Sequence, residues 1–244
     1  VYPHSVDHVG DDEVPEDAIA TGDANLWCAR TLNTWKIVPT EAFFAFPKGV
    51  IPARSATDGE LDPAQILEGY AFDQSDDDHE LHVVVDGRRL WQVFRELFAA
   101  LPSRDGLEVR LMHHWEDQEN TQVFLAHPSL TSTQMLAFLD TNAVDLIDNG
   151  GVELGIYCRR EQCTLRLTEH KTIAFYAKPQ AYVADLARVV GALSLIEREP
   201  LLSIAHRCAH FHYAPKSCTG RAQLVRRLEG ARFRLVNEWS DETG

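Results

Sequence analysis

The chain has 244 residues, of which 45% are apolar and 25% charged, and its formal net charge at pH 7 is −14. This length and apolar content predict a globular protein with a sizeable core, and the negative charge argues against nucleic acid as a partner. The charge is uneven, because residues 1–80 contain 17 acidic residues against four basic ones. Such a negative field attracts cationic partners.

The sequence indicates neither a membrane-spanning segment nor a framework of disulfide bonds. The longest apolar stretch, Val189–Ile196, is far shorter than the roughly 20 residues that cross a bilayer. The five cysteines follow neither a zinc-ligand nor a disulfide-framework spacing. We therefore expect reduced thiols in a cytoplasmic protein. A disulfide between Cys158 and Cys163, which flank a predicted hairpin turn, is the alternative that the spacing leaves open.

The first third of the chain contains few periodic segments. Residues 1–25 are rich in Asp, Glu and Pro and predict a loosely ordered acidic lead-in, followed by a single α+β domain over 26–244. Residues 26–35 are compatible with a helix, and the sequence Asp-Pro-Ala-Gln at 62–65 is typical of a helix start. Residues 73–80 are expected to form a solvated acidic loop.

From residue 81 the periodicity predicts a definite order of elements. Strands are expected at 81–85, 107–113, 121–126 and 152–158, and helices at 88–101 and from about 132 to 148. Thr131 and Gln134 have the spacing of a capping box at the start of the second helix. The order β-α-β-β-α-β over 81–158 is that of a ferredoxin-like fold, an antiparallel sheet with helices on one face.

Further elements are predicted to extend this sheet and to add C-terminal helices. Strands are expected at 163–167, 172–176 and 231–239, and helices at 183–193, 201–210 and 221–228. The fold class is therefore α+β. This architecture carries many unrelated functions, so the fold alone implies none.

Three histidines near the C-terminus form the candidate metal site. If 201–210 is helical, His206 and His210 lie one turn apart on the same face, and His212 approaches from beyond the helix end. Imidazoles at this spacing can hold zinc. The glutamate of a HExxH motif is missing, because Arg207 follows the first histidine. The competing interpretation places these histidines beside an apolar core stripe without any metal.

Other polar clusters give weaker indications. His113 and His114 lie at the end of a predicted strand, where their side chains alternate between faces, which argues against joint ligation. The acidic run at 76–78 lacks the alternation and the central glycine of a calcium loop. No nucleophile elbow, phosphate-binding loop or dinucleotide fingerprint is present, so we predict no catalytic residue from motifs.

The leading functional hypothesis is a non-enzymatic acidic protein that binds a basic protein. An immunity or antitoxin-type inhibitor, which caps a basic toxin such as a nuclease through carboxylates, is its most concrete form. The carboxylates expected to form this face are Glu60, Asp62, Glu68, Asp73, Asp76, Asp77, Asp78 and Glu80. The alternative hypothesis is a metal-dependent hydrolase that uses His206, His210 and His212.

Overall fold

The computed structural model describes residues 35–37, 44–55, 63–74, 78–116, 120–205 and 210–240. Within these ranges the strands are β1 (Trp35–Ile37), β2 (Val50–Ser55), β3 (Gly69–Gln74), β4 (His79–Val84), β5 (Gly106–Leu111), β6 (Asn120–Ala126), β7 (Val152–Cys158), β8 (Cys163–Leu167), β9 (Ile173–Ala177), β10 (His210–His212) and β11 (Phe233–Ser240). The helices are α1 (Leu90–Ala100), α2 (Ser132–Thr141), α3 (Ala143–Leu146), α4 (Gln180–Ala192) and α5 (Arg221–Gly230), and Pro63–Gln65 forms a short 3₁₀ helix.

Eight strands form one antiparallel sheet in the order β11-β6-β5-β7-β8-β9-β4-β3, and β1, β2 and β10 form a second, smaller sheet. The α+β class predicted from the sequence is confirmed. The chain order from β4 to β7 is also the predicted one. In the large sheet, however, β8 and β9 lie between β7 and β4. The ferredoxin-like order is therefore found only in the sequence of elements along the chain and not in the order of strands in the sheet.

One face of the large sheet carries the main core. Leu81, Leu107, Ile156, Leu165 and Phe175 lie opposite one another across five strands, and all are essentially inaccessible to solvent. The helices pack on this face and complete a continuous apolar cluster. Each fully buried side chain of this size contributes about 1.5–3 kcal/mol, so the sheet and the helices form a rigid support for the loops at the strand ends.

The capping box and the apolar helical stripe predicted from the sequence are both present. At the start of α2 the Thr131 hydroxyl accepts a hydrogen bond from the Gln134 amide, and the Gln134 side chain accepts one from the Thr131 amide. In α1, Leu90, Phe94 and Leu97 are buried at helical spacing. Among the described helices, none has the length and apolarity needed to cross a membrane.

Two local predictions are wrong. Leu201–Ala205 is not helical, because Ile204 packs into a small apolar cluster with Val50 and Val84, and His210 begins a strand instead of ending a helix. The acidic stretch at 73–80 is not a free loop, since most of its described residues belong to the hairpin between β3 and β4. The helix expected at 26–35 lies outside the described residues except for Trp35, which begins β1. The acidic lead-in at 1–25 also lies outside them.

Candidate metal centre

Two imidazoles of the candidate centre come from strand β10. His210 and His212 pair with Pro52 and Val50 of β2, which fixes their register. Side chains two residues apart on a strand share a face, so both imidazoles lie on the same side of β10. Their Nε2 atoms are 3.1 Å apart. The two rings are therefore in direct contact through the nitrogens that bind metals.

The turn between β8 and β9 supplies a third imidazole. The turn is closed by a hydrogen bond of 3.0 Å from the Thr168 amide to the Thr172 carbonyl, and Lys171 adopts a left-handed φ of +59°. His170 lies at the tip of this turn, and its ring centroid is 4.8 Å from that of His210 and 5.2 Å from that of His212. The fold thus places the turn that carries His170, 40 residues before His210 in the chain, in contact with β10.

His114 and Glu169 flank these three histidines. The His114 ring centroid is 4.8 Å from that of His212. Its Nε2 atom lies 3.8 Å from a Glu169 carboxylate oxygen and 3.4 Å from the Gly150 carbonyl oxygen. His114 and Glu169 can also form a three-ligand group with His212. His113 is not a member of either group, but its ring centroid lies 5.4 Å from that of His114, so the two adjacent side chains do not diverge as predicted.

The separations among His170, His210 and His212 approach those of a tetrahedral site. All three ligand atoms lie within 4.8 Å of one another. With zinc–nitrogen bonds of about 2.0–2.1 Å, two ligand nitrogens are roughly 3.4 Å apart. The contact between His210 and His212 is already close to this value, and closing the group requires side-chain movements of at most about 1.4 Å. Without a metal, one Nε2–H group of this pair can donate to the other nitrogen.

His212 is held as a neutral imidazole. Burial lowers its pKa to about 2, and the neighbouring His114, His210 and His170 add to the effect. The Nδ1 atom of His212 is 3.1 Å from the Gly150 carbonyl oxygen. A carbonyl only accepts hydrogen bonds, so Nδ1 carries the proton and Nε2 presents a lone pair towards His210. Metal-bound histidines are oriented in the same way in proteins.

Close backbone packing keeps the Gly150 carbonyl in position. Tyr213 donates its amide to the Gly49 carbonyl at 2.9 Å and accepts from the Gly150 amide at 3.0 Å. A Cβ atom on Gly150 would lie only 1.9 Å from the Gly49 oxygen. Glycine is therefore required at position 150. The two hydrogen bonds of Tyr213 hold the segment that follows β10 against the segment that precedes β7.

Two buried cations support the loops around the centre. Lys171 is almost fully buried and donates to the carbonyls of Asn149 and Val152 at 2.6 and 3.0 Å; burial lowers its pKa to about 8. Arg221 is also buried and donates to the carbonyls of Met112 and Leu111 at 2.6 and 3.1 Å. Both cations thus bind backbone next to the imidazole-bearing loops. Burial and these cations also lower the pKa of His114, burial being the larger cause.

Two of the histidines named from the sequence meet in the structure. His210 and His212 are adjacent, but on a strand, so the prediction that His210 ends a helix is wrong. His206 lies outside the described residues. His170 is not among the residues named from the sequence, and His114 was placed at the end of a predicted strand, outside the candidate metal site. The only available signal for His170 was its place in a predicted turn between two strands.

The predicted acidic face is only partly visible. Glu60, Asp62, Asp76 and Asp77 lie outside the described residues. Glu68 is partly buried, accepts from the Asp86 amide at 2.8 Å and pairs with Arg89 at 3.5 Å.

The other three carboxylates lie near the tip of the β3–β4 hairpin. Asp73 of β3 pairs with Glu80 of β4, and Asp78 lies in the segment that connects the two strands. Glu80 contacts His82 through a distance of 2.9 Å between Oε2 and Nε2. Asp73 is exposed and accepts from the Gln74 amide at 2.8 Å.

No family model matches the chain, and no curated protein or solved structure is significantly similar to it. The functional argument therefore depends on the geometry of the centre.

Proposed function

We propose that this protein binds a divalent transition metal, zinc in the simplest case, through His170, His210 and His212. The observation that carries the proposal is the convergence of these three imidazoles from two distant chain segments, with two Nε2 atoms 3.1 Å apart. His212 is neutral and already oriented by the Gly150 carbonyl. A neutral imidazole with a directed lone pair is the form that zinc binds.

Metal-assisted hydrolysis is the reaction class that such a centre supports best. Three protein ligands leave the fourth tetrahedral position to water, which is the arrangement of catalytic rather than structural zinc sites. Zinc lowers the pKa of this water to about 7 and polarises an incoming carbonyl or phosphoryl oxygen. The three histidines are each partly accessible to solvent, so a small substrate can approach.

Metal analysis and calorimetry test the binding proposal. We expect about one zinc ion per chain, as for a single tetrahedral site. Replacing His210 or His212 by alanine removes a proposed ligand. We expect the zinc affinity to fall by more than the roughly 10–100-fold loss that is typical when a residue that only orients a ligand is replaced. His127→Ala is a matched control, because the His127 side chain is exposed and its Nδ1 atom lies 2.8 Å from the Ser129 hydroxyl oxygen. Unchanged zinc affinity in a His210→Ala, His212→Ala double variant would refute the proposal.

The hydrolase assignment requires its own measurement. Zinc-loaded protein should hydrolyse an activated ester, and both a chelator and the His212→Ala substitution should abolish this activity. Retention of the activity after chelation would contradict a metal-activated water. If the protein binds zinc stoichiometrically but does not hydrolyse the ester, it is a metal-binding protein and the assignment as a hydrolase is wrong.

A second candidate function is the docking of a basic protein at the acidic hairpin. The observation that favours it is the grouping of Asp73, Asp78 and Glu80 at one end of β3, which is an edge strand of the large sheet. Carboxylates on an exposed edge select cationic partners and accelerate their association. Capture of a basic protein at about 50 mM salt but not at about 500 mM would support this function. Unchanged capture by an Asp73→Lys, Glu80→Lys variant would exclude the hairpin from the interface.

A further inference from the structure

Cys158 and Cys163 face each other across the hairpin formed by β7 and β8. Cys158 ends β7, Cys163 begins β8, and the two residues are direct partners in the antiparallel register. Both side chains are buried and both thiols are reduced. The pair lies at the opposite ends of these strands from the candidate metal centre, which adjoins Val152 and the turn that follows Leu167.

The register places the two residues within the range of a disulfide. Directly opposed residues of an antiparallel pair have Cα atoms about 4.5–5.5 Å apart. Disulfides span Cα separations of roughly 4.4–6.8 Å. The Cys158 thiol donates to the Ser103 carbonyl at 2.8 Å, and disulfide formation must replace this hydrogen bond. Bond formation therefore requires a small closure of the hairpin end and no change of register.

The surroundings of the pair allow this closure and distinguish the two sulfurs. The connecting turn is mostly exposed, and Gln162 adopts a left-handed φ of +53° within it. The neighbouring Cys163 thiol lowers the pKa of Cys158, whereas the neighbouring Cys158 thiol and burial raise the pKa of Cys163. Cys158 is thus the better nucleophile, and Cys163 keeps its proton until the second step.

We propose that Cys158 and Cys163 are a site of reversible oxidation, at which hydrogen peroxide forms an intramolecular disulfide. The Cys158 thiolate attacks the peroxide bond and becomes a sulfenic acid, and the displaced hydroxide leaves as water after taking up a proton. The Cys163 sulfur then attacks the sulfenic sulfur, loses its own proton and expels a second water. Two thiols and one peroxide yield one disulfide and two waters. The proposal does not depend on metal binding.

Peptide mapping of the intact chain tests this inference. Trypsin cleaves after Arg159 and Arg160, which lie between the two cysteines, so a disulfide joins two otherwise separate peptides. We expect peroxide to convert most wild-type molecules into the linked form, and dithiothreitol to release both peptides. If both thiols remain fully alkylatable after unfolding while the partly exposed Cys218 is oxidised, the proposal is wrong.

Two variants refine the test. Cys218→Ser should give the same linked peptide as the wild type, because Cys218 lies elsewhere and its Sγ contacts the Val144 carbonyl at 3.1 Å. Cys163→Ser should give no linked peptide and should accumulate the Cys158 sulfenic acid, detectable with a dimedone probe. A linkage from Cys158 to any other cysteine in the wild type would also overturn the assignment. The wild-type map alone decides the question if Cys163→Ser does not fold.

Discussion

Replacing Gly150 by alanine should disrupt the candidate centre without touching a ligand. The added Cβ would lie 1.9 Å from the Gly49 oxygen, whereas real Cβ contacts are not shorter than 3.0 Å. The two backbones must therefore separate by about 1 Å, since the close atoms are both main chain and cannot rotate away. This separation should break the two hydrogen bonds that the Tyr213 backbone makes to Gly49 and Gly150.

The expected effects follow from those contacts. Loss of two backbone hydrogen bonds, each worth about 0.5–1.5 kcal/mol, should lower the free energy of unfolding by about 1–3 kcal/mol. The Gly150 carbonyl also orients His212 at 3.1 Å. Misplacing a group that orients a ligand typically costs about 10–100-fold in metal affinity, so we expect zinc binding to weaken by that factor.

Urea unfolding and zinc calorimetry measure the two effects, and the chain contains a matched control. Gly191 lies in α4, and no atom within 4 Å would meet a Cβ built on it. Gly191→Ala should therefore raise the free energy of unfolding by about 0.5–1 kcal/mol through helix propensity, with unchanged zinc affinity. If Gly150→Ala unfolds at the wild-type urea concentration and binds zinc equally well, the close packing at Gly150 is not what orients the centre.

Three further predictions concern stability. Arg221→Met should lower the free energy of unfolding by about 1–3 kcal/mol, because buried carbonyls lose their charged donor; a loss below about 1 kcal/mol in urea unfolding would contradict this role. Burial opposes ionisation of Asp86, but hydrogen bonds from Arg88 and from the Ala45 amide outweigh it and lower the Asp86 pKa. Its ionised form thus stabilises the fold above about pH 4, so the deficit of Asp86→Asn should fade as the pH is lowered towards 2; a deficit independent of pH would exclude this cause. Free zinc at 100 times its dissociation constant should stabilise the wild type by about 2.7 kcal/mol, and a chelator should reverse the gain; no thermal shift with zinc would argue against binding.

The local elements of the fold could be predicted, but their arrangement in the sheet could not. The alternation of Leu107, Val109 and Leu111 and the helical stripe of Leu90 and Phe94 each require only neighbouring residues, and both predictions are confirmed. The insertion of β8 and β9 between β7 and β4 depends on which strand edges meet, and the local pattern carries no such information.

The candidate centre was harder to predict because its residues meet only in the folded chain. His210 and His212 were named for the wrong reason, since the apolar spacing of Leu201 and Ile204 favours a helix, whereas Leu201–Ala205 is not helical and His210 begins a strand. A short apolar run does not distinguish the two conformations. His170 is 40 residues away, and only the pairing of β8 with β9 brings it near β10.

His210 and His212 lie on strand β10, whereas His170 and His114 lie in loops that buried cations help to hold in position. Lys171 binds carbonyls on both sides of Gly150, and Arg221 binds carbonyls just before His114. Charged donors form the stronger hydrogen bonds of proteins, so each cation helps to fix the backbone beside an imidazole-bearing loop. Burial is the main cause that lowers the pKa of His114, and the charges of His113, Arg221 and Lys171 add to it. If the proposed centre holds a dipositive ion, these cations would favour an anionic fourth ligand such as hydroxide. The residues that order the loops would then also favour the ionised water that the proposed hydrolysis requires.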